Sequence, residues 1–255
     1  MMYSTVNYHD TTVLPNDNEL QYEVNNLVKY AEKHLMKVNE DKTKIMIFNN
    51  AKIIDVTPRL TINGVNVINV VEEAKLLGVM LNSDMNWSSQ TKYLTSRGYK
   101  RLWIIRRLKI LGAQESDLID VYKQQIRSVL ELNCPVWQPG LTKKQKHDIE
   151  RVQKVALSVI RGSNNFTYEE NLLSYNIENL QLRREGLCLK FALNAYKSEK
   201  YNTWFEMNTS KRNTRSEKLK LKSVHTRTKR YQNSPLPYLT NILNLYLKEK
   251  KRYIH

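Results

Sequence analysis

The sequence predicts an α+β chain in which a small, antiparallel, strand-bearing N-terminal part is followed by helices. Three observations carry that reading. Leu60-Thr61-Ile62 and Val65-Asn66-Val67 flank Asn63-Gly64, a dipeptide suited to the two left-handed positions of a tight type I′ hairpin. Near Thr95 the apolar spacing changes to a 3.6-residue period and stays there. Beyond that point the chain carries helix punctuation: Thr142 with Gln145 and Thr167 with Glu170 as capping boxes, and Gly112 and Gly162 as stops.

Taken in order, Asn16 opens a first helix with Glu19 as its capping partner. Leu20, Val24, Leu27, Val28, Ala31 and Leu35 form its apolar face. Ile45-Met46-Ile47-Phe48 reads as a strand, the Asn63-Gly64 hairpin follows, and Leu76-Leu77-Gly78-Val79-Met80-Leu81 reads as a further apolar strand. The next helix places Leu94, Gly98, Leu102, Ile105 and Leu108 on one side and stops at Gly112. Another runs from about Glu115 to Leu132, with Leu118, Val121, Tyr122, Ile126, Val129 and Leu130 inward, and Pro135 ends it. The helix after Thr142 turns Ile149, Val152, Ala156, Val159 and Ile160 inward. Residues 208–229 are polar and basic with almost no apolar side chains and read as a disordered linker. The expected division is 1–90, 91–162, 163–207 and a basic, partly disordered 208–255.

No apolar run approaches the roughly 18 to 20 residues that cross a bilayer, and no basic-then-apolar signal opens the chain. The expectation is an intracellular protein, nuclear or cytoplasmic, without a membrane partner. Cys134 and Cys188 lie in apolar helical contexts and are expected as buried thiols, forming neither a disulfide nor a metal site. Charge narrows the partner. The net charge is +16, and residues 181–255 hold 18 Lys/Arg against 5 Asp/Glu. Clustered positive charge is the footprint of a polyanion, here RNA, DNA or both. A second basic feature is Arg97, Lys100, Arg101, Arg106, Arg107 and Lys109 on one amphipathic helix, with no acid between 95 and 109. Tyr99 and Trp103 interleave them and can stack on bases or sugars, although core packing is the expected place for Trp103. Arg227, Lys229 and Arg230 belong to the basic tail, and a tail that binds RNA nonspecifically by itself is the plainer alternative.

The N-terminal run Val6-Asn7-Tyr8-His9-Asp10-Thr11-Thr12-Val13-Leu14 resembles the Tyr-x-Asp-Asp-Thr-Thr-Val-Leu box of reverse transcriptases of non-LTR, LINE-type retrotransposons. Anchored on the shared Asp-Thr-Thr-Val-Leu, Asn7 falls on the Tyr, His9 on the first Asp and Asp10 on the second. The other register, Tyr8-His9-Asp10-Thr11, keeps the Tyr and loses the second Asp. Further segments resemble the same family in the same order. They are Asn39-Glu40-Asp41-Lys42-Thr43-Lys44; Leu77-Gly78-Val79 with Trp87, where Asn82 replaces an Asp and Gln90 a His; Val121-Tyr122; Pro135-Val136-Trp137; Glu150 to Leu157; Leu180 to Phe191; and Arg230 to Leu239.

The resemblance implies a partial palm over 1–90, a helical thumb over 91–162 and a helical post-thumb region. It implies Mg²⁺ in the parent family, Asp10 as a relic metal ligand with His9 in place of its partner, and Lys42 near nucleotide phosphates. It also implies Leu77 and Gly78 at a primer-grip-like position, and the thumb cations on primer and template, including the parent element's own RNA. Mg²⁺ prefers carboxylate oxygens in near-octahedral geometry, and imidazole substitutes poorly. A third carboxylate comes, in the family, from a strand upstream of the box, which this chain is expected to lack. The expectation is therefore a fragment of an RNA-directed DNA polymerase, a pseudoenzyme without a functional metal that still binds nucleic acid. A partial gene model of an active reverse transcriptase and a basic helical interaction protein are the alternatives.

Overall fold

The computed structural model describes residues 17–48, 58–64, 66–162, 165–208 and 221–252. Helix accounts for 64% of it, with a few short strands in small sheets, so the class is α+β. The chain divides into two units, Met1–Leu76 with Leu81–Met85, and Leu77–Met80 with Asn86–His255.

In the first unit, α1 (Asp17–Lys33) precedes β1 (Lys44–Ile45), β2 (Thr61–Ile62), β3 (Asn66–Val67) and β4 (Asn69–Val70). Leu60, Ile62 and Ile68 are buried, with Leu20, Val24, Val28, Val38 and Ile45 packed against them. Gln21 joins the helix to the hairpin by behaving like a strand edge. Its Nε2 donates to the Thr61 carbonyl at 2.8 Å, and its Oε1 accepts from the Thr61 N–H at 2.8 Å.

Several expectations change here. Leu35 is 98% exposed, off the apolar face. The helix has already ended: the Met36 N–H reaches the Ala31 carbonyl (2.8 Å) and the Leu35 N–H that of Glu32 (2.9 Å), with Leu35 at φ +56. That is a Schellman stop with leucine in glycine's usual place. Because left-handed backbone costs a β-carbon residue roughly 1 kcal/mol or more, Leu35→Gly should stabilise this unit by about 1 kcal/mol. Equilibrium urea unfolding measures it, and an unchanged or lower midpoint would contradict it. The predicted strand 45–48 shortens to Lys44–Ile45, leaving Phe48 exposed. It pairs in parallel with β4, Lys44 opposite Asn69 and Ile45 opposite Val70, so pairing is not uniformly antiparallel. Strands of two residues offer too few ladder bonds to extend into one sheet. β2 and β3 do pair antiparallel, with Asn63 and Gly64 both left-handed. The register Ile62↔Asn66 leaves three residues in the connection, one more than a two-residue turn. Asn16 and its cap lie outside the described residues.

The apolar run 76–81 is a hairpin and not one strand. β5 (Glu73–Leu76) and β6 (Val79–Asn82) form a two-stranded sheet. Leu77 (φ +47, 73% exposed) and Gly78 (φ +88) make the turn between them. Consecutive left-handed residues suit this two-residue connection, and an apolar sequence conceals them.

The second unit is helical: α2 (Ser88–Ile110), α3 (Glu115–Val121), a π-helical turn (Tyr122–Arg127), α4 (Ser128–Glu131), α5 (Cys134–Trp137), α6 (Lys143–Arg161), α7 (Tyr168–Ser174), α8 (Leu180–Lys197), α9 (Lys229–Gln232) and α10 (Pro235–Arg252). α2 begins seven residues before Thr95, at the left-handed Trp87. Both predicted capping boxes form, and Gly162 closes α6 at φ +74. Pro135 does not end the helix before it. Left-handed Asn133 does so, and Pro135 sits in the first turn of α5, where its missing N–H costs nothing.

α2 lies along α6, and α8 packs against α5 and α10. A buried polar chain ties the elements together. Tyr122 Oη donates to Gln153 Oε1; Gln153 Nε2 donates to Tyr168 Oη (2.7 Å) and to the Glu178 carbonyl (3.0 Å). Tyr168 Oη donates to Glu150, whose carboxylate also accepts the Leu180 N–H at 2.9 Å, at the positive end of α8. Burial and the Glu150 carboxylate push the Tyr168 phenol well above its ordinary value, which keeps it a donor. Cys134 and Cys188, 54 positions apart in sequence, are free and buried, and the Cys134 thiol donates to the Arg184 carbonyl at 3.9 Å. Of the linker expected over 208–229, residues 209–220 lie outside the described residues. Within it Leu221 is anchored: it is fully buried, with its backbone bonded to the Asn244 side chain at 2.9 and 3.1 Å.

Candidate nucleic-acid interface

α2 carries no acidic residue along its 23 positions. Gln90, Thr91, Leu94, Gly98, Leu102 and Ile105 form its buried side. The approach to α6 is close because residue 98 has no side chain; a Cβ there would stand 2.7 Å from Val152 Cγ1 and 3.3 Å from Leu130 Cδ2. Gln90 Oε1 accepts the Met80 N–H at 2.8 Å. This fixes the helix against β6 and gives Gln90 a structural reason to be buried. Trp87, also buried, packs its ring on Gly140, where any Cβ would meet the indole.

The six predicted cations do not form one set. Three are committed internally. Arg97 donates to Tyr93 Oη with its guanidinium 5.4 Å from that ring, and Arg101 donates to the Gln125 carbonyl. Lys109 Nζ donates to the Val159 and Ile160 carbonyls at 2.8 and 2.6 Å, capping the last turn of α6. Lys100, Arg106 and Arg107 are exposed on the outer side, joined by Lys92, which a helix begun at Thr95 had left out. None of these four has an ion-pair partner among the described residues. Trp103 stands among them at 63% exposure, with Ile110 beyond it at 76%, so the core position expected for Trp103 is wrong. The buried stripe is already filled by Leu102 and Ile105, and a helix offers one side to its core.

Beside Tyr99, between the first halves of α2 and α6, a groove of about 480 Å³ is lined by Ser88, Lys92, Thr95, Tyr99, Lys144 and Arg151, with Asp148 its one acid. Lys144 and Arg151 come from α6 and were not singled out from sequence. A search for cations on neighbouring helices at 3.6-residue spacing would have found them.

The other predicted residues lie apart from this surface in sequence and are placed as follows. Lys42 ends an exposed 3₁₀ turn, Glu40–Lys42, its N–H donating to Asn39 Oδ1 at 2.9 Å. Arg227, Lys229 and Arg230 are exposed around the start of α9. Leu77 and Gly78 occupy the hairpin turn, where a Cβ on Gly78 would stand 3.2 Å from Leu132 Cδ2, and Asn133 Nδ2 donates to the Leu77 carbonyl at 2.9 Å. His9 and Asp10 lie outside the described residues, and so does any Mg²⁺ site they could form. Among the described residues no three His, Cys, Asp or Glu side chains gather as metal ligands, and no helix is long and apolar enough to cross a membrane. The arrangement therefore defines a basic, aromatic-bearing helix surface. Compared with known protein families, curated proteins and solved structures, the chain matches none of them.

Proposed function

We propose that this chain binds nucleic acid through the outer side of α2, as a relative of LINE-type reverse transcriptases whose catalytic box no longer supports polymerisation. One observation carries the binding half: Lys92, Lys100, Arg106 and Arg107 stand exposed on a helix without a single acid. A phosphate backbone supplies the missing counter-charge. The polymerase half rests on the motif resemblance alone, with Asn7 and His9 in one register, or Thr11 in the other, displacing part of the Tyr-x-Asp-Asp core. With one carboxylate of the pair gone, metal-assisted nucleotide addition loses a ligand that imidazole does not replace. Template-directed incorporation with Mg²⁺ or Mn²⁺ above a protein-free control would refute that half.

A filter-binding salt titration tests the first half. Affinity for duplex should fall with a log–log slope of about −0.9 per phosphate contacted. Replacing Lys92, Lys100, Arg106 and Arg107 together by glutamine should flatten the slope by about 3 to 4 and weaken all sequences alike. Arg97, Arg101 and Lys109 are excluded from the set because they hold protein groups. Truncating the tail is a poor control, since α10 packs on α8. Neutralising Arg227, Lys229 and Arg230 in place is the clean comparison. If that triple change abolished binding while the α2 variant bound normally, the tail alone would be the binding element and the α2 reading would fall.

A further inference from the structure

Resting on that reading of α2 as a nucleic-acid surface, we infer that its outer side holds unpaired, single-stranded nucleic acid in preference to duplex, with Trp103 and Tyr99 as stacking platforms. Trp103 follows Lys100 by three positions and precedes Arg106 and Arg107 by three and four. On a helix such positions are surface neighbours, so an exposed indole lies within a ring of three cations. Its complement is a planar group carrying negative charge nearby, which describes a nucleotide. A solvent-exposed indole gains little from a duplex, whose base faces are covered by their own stack, whereas an unpaired base has a free face to offer.

Tyr99 continues the surface. It lies one helical turn before Trp103, about 6 Å along the axis, and is 39% exposed. Its ring borders the groove where Lys92, Lys144 and Arg151 outnumber Asp148. A strand stacked on Trp103 and Tyr99 thus runs toward a cavity with three cations for its next phosphates. The hydroxyls of Ser88 and Thr95 in that wall donate to Asn86 Oδ1 and to the Thr91 carbonyl, so the charge contacts there fall to the three cations. The resulting ligand class is single-stranded RNA or DNA read without sequence preference, through stacking and backbone charge together.

The test is equilibrium binding of the full chain to a labelled oligothymidylate of about a dozen nucleotides and to a duplex of equal length, at one salt concentration. The single strand should bind at least about tenfold more tightly. Trp103→Ala should lower single-strand affinity about five- to a hundred-fold, Trp103→Phe should recover part of it, and both should leave duplex affinity within about twofold. In a Trp204→Phe background, oligothymidylate should quench emission from Trp103, because Trp87 and Trp137 are buried. Thermal melting of each variant shows whether the fold is intact, which an exposed position predicts. If neither nucleic acid binds the unaltered chain, the proposed function itself fails. If duplex binds as tightly as single strand, or Trp103→Ala changes neither, the stacking inference fails alone. If Trp103→Ala alters only self-association, the surface is a protein-docking one and the inference is overturned.

Discussion

Trp137→Ala should lower the stability of the helical unit by about 3 to 5 kcal/mol. Trp137 is fully buried, its Nε1 donates to the Leu132 carbonyl at 2.9 Å, and the Arg184 guanidinium sits 5.7 Å from its ring. Removing the indole opens a cavity, frees a carbonyl, and strips the cover from a buried cation. Arg184 tolerates little further loss. Its Nε donates to Gln138 Oε1 at 2.7 Å, but its two terminal nitrogens have no partner among the described residues. Because whole-domain stability is about 5 to 15 kcal/mol, the variant should be substantially unfolded at moderate denaturant. Trp103→Ala, at an exposed site, should fall within about 0.5 kcal/mol of the parent. Urea unfolding followed by far-ultraviolet circular dichroism compares the pair. A cost below about 1 kcal/mol for Trp137→Ala would mean that this core is not where the structure puts it.

A second contrast uses glycine in two helices. Gly98→Ala and Gly186→Ala both gain the intrinsic helix preference of alanine, about 1 kcal/mol. Gly186 of α8 has open space where the methyl would go, whereas at Gly98 the methyl would stand 2.7 Å from Val152 Cγ1. Overpacking of a tight contact costs about 1 to 3 kcal/mol. Gly186→Ala should therefore stabilise by about 1 kcal/mol, and Gly98→Ala should be neutral at best and destabilising by up to about 2 kcal/mol. Gly98→Leu should be worse still, since its extra atoms also meet Leu130. The midpoints of urea unfolding decide the signs. Stabilisation at both positions would show that α2 and α6 have room to separate.

The helices of the second unit were legible because their inward residues recur at one period and their ends carry side-chain chemistry. Thr142, Thr167 and Gly162 each act as their types suggest. The first unit was less legible because its order comes from pairing partners that a single segment does not specify. Leu77 and Leu35 occupy left-handed backbone where leucine is disfavoured, so propensity pointed to strand and helix. Trp103 shows the same limit for function. Residue type placed it in the core, and only the packing of Leu102 and Ile105 reveals that the inward side was already occupied. Separating the cations of α2 into committed and free ones required their partners, the Tyr93 hydroxyl and the carbonyls of Gln125, Val159 and Ile160, which sequence does not align with them. The motif-bearing residues Tyr122, Glu150 and Gln153 meet in one buried hydrogen-bond chain, which gives two separated segments a shared structural reason.

The π-helical turn Tyr122–Arg127 has a bearing on how the chain could change in length. Its bonding takes one more residue into the turn than an α-helix does. Inside a regular helix, loss of one residue rotates everything beyond it by about 100° and turns the buried side outward. Within this wide turn the surplus residue can be surrendered instead. Omitting exposed Gln124 would let the backbone close to ordinary α-helical bonding while α3 and α4 keep their orientation, with Tyr122 and Ile126 three positions apart and still on the inward side. The turn is thus a place in the helical unit where insertion and deletion of a single residue are interchangeable states of one packing arrangement.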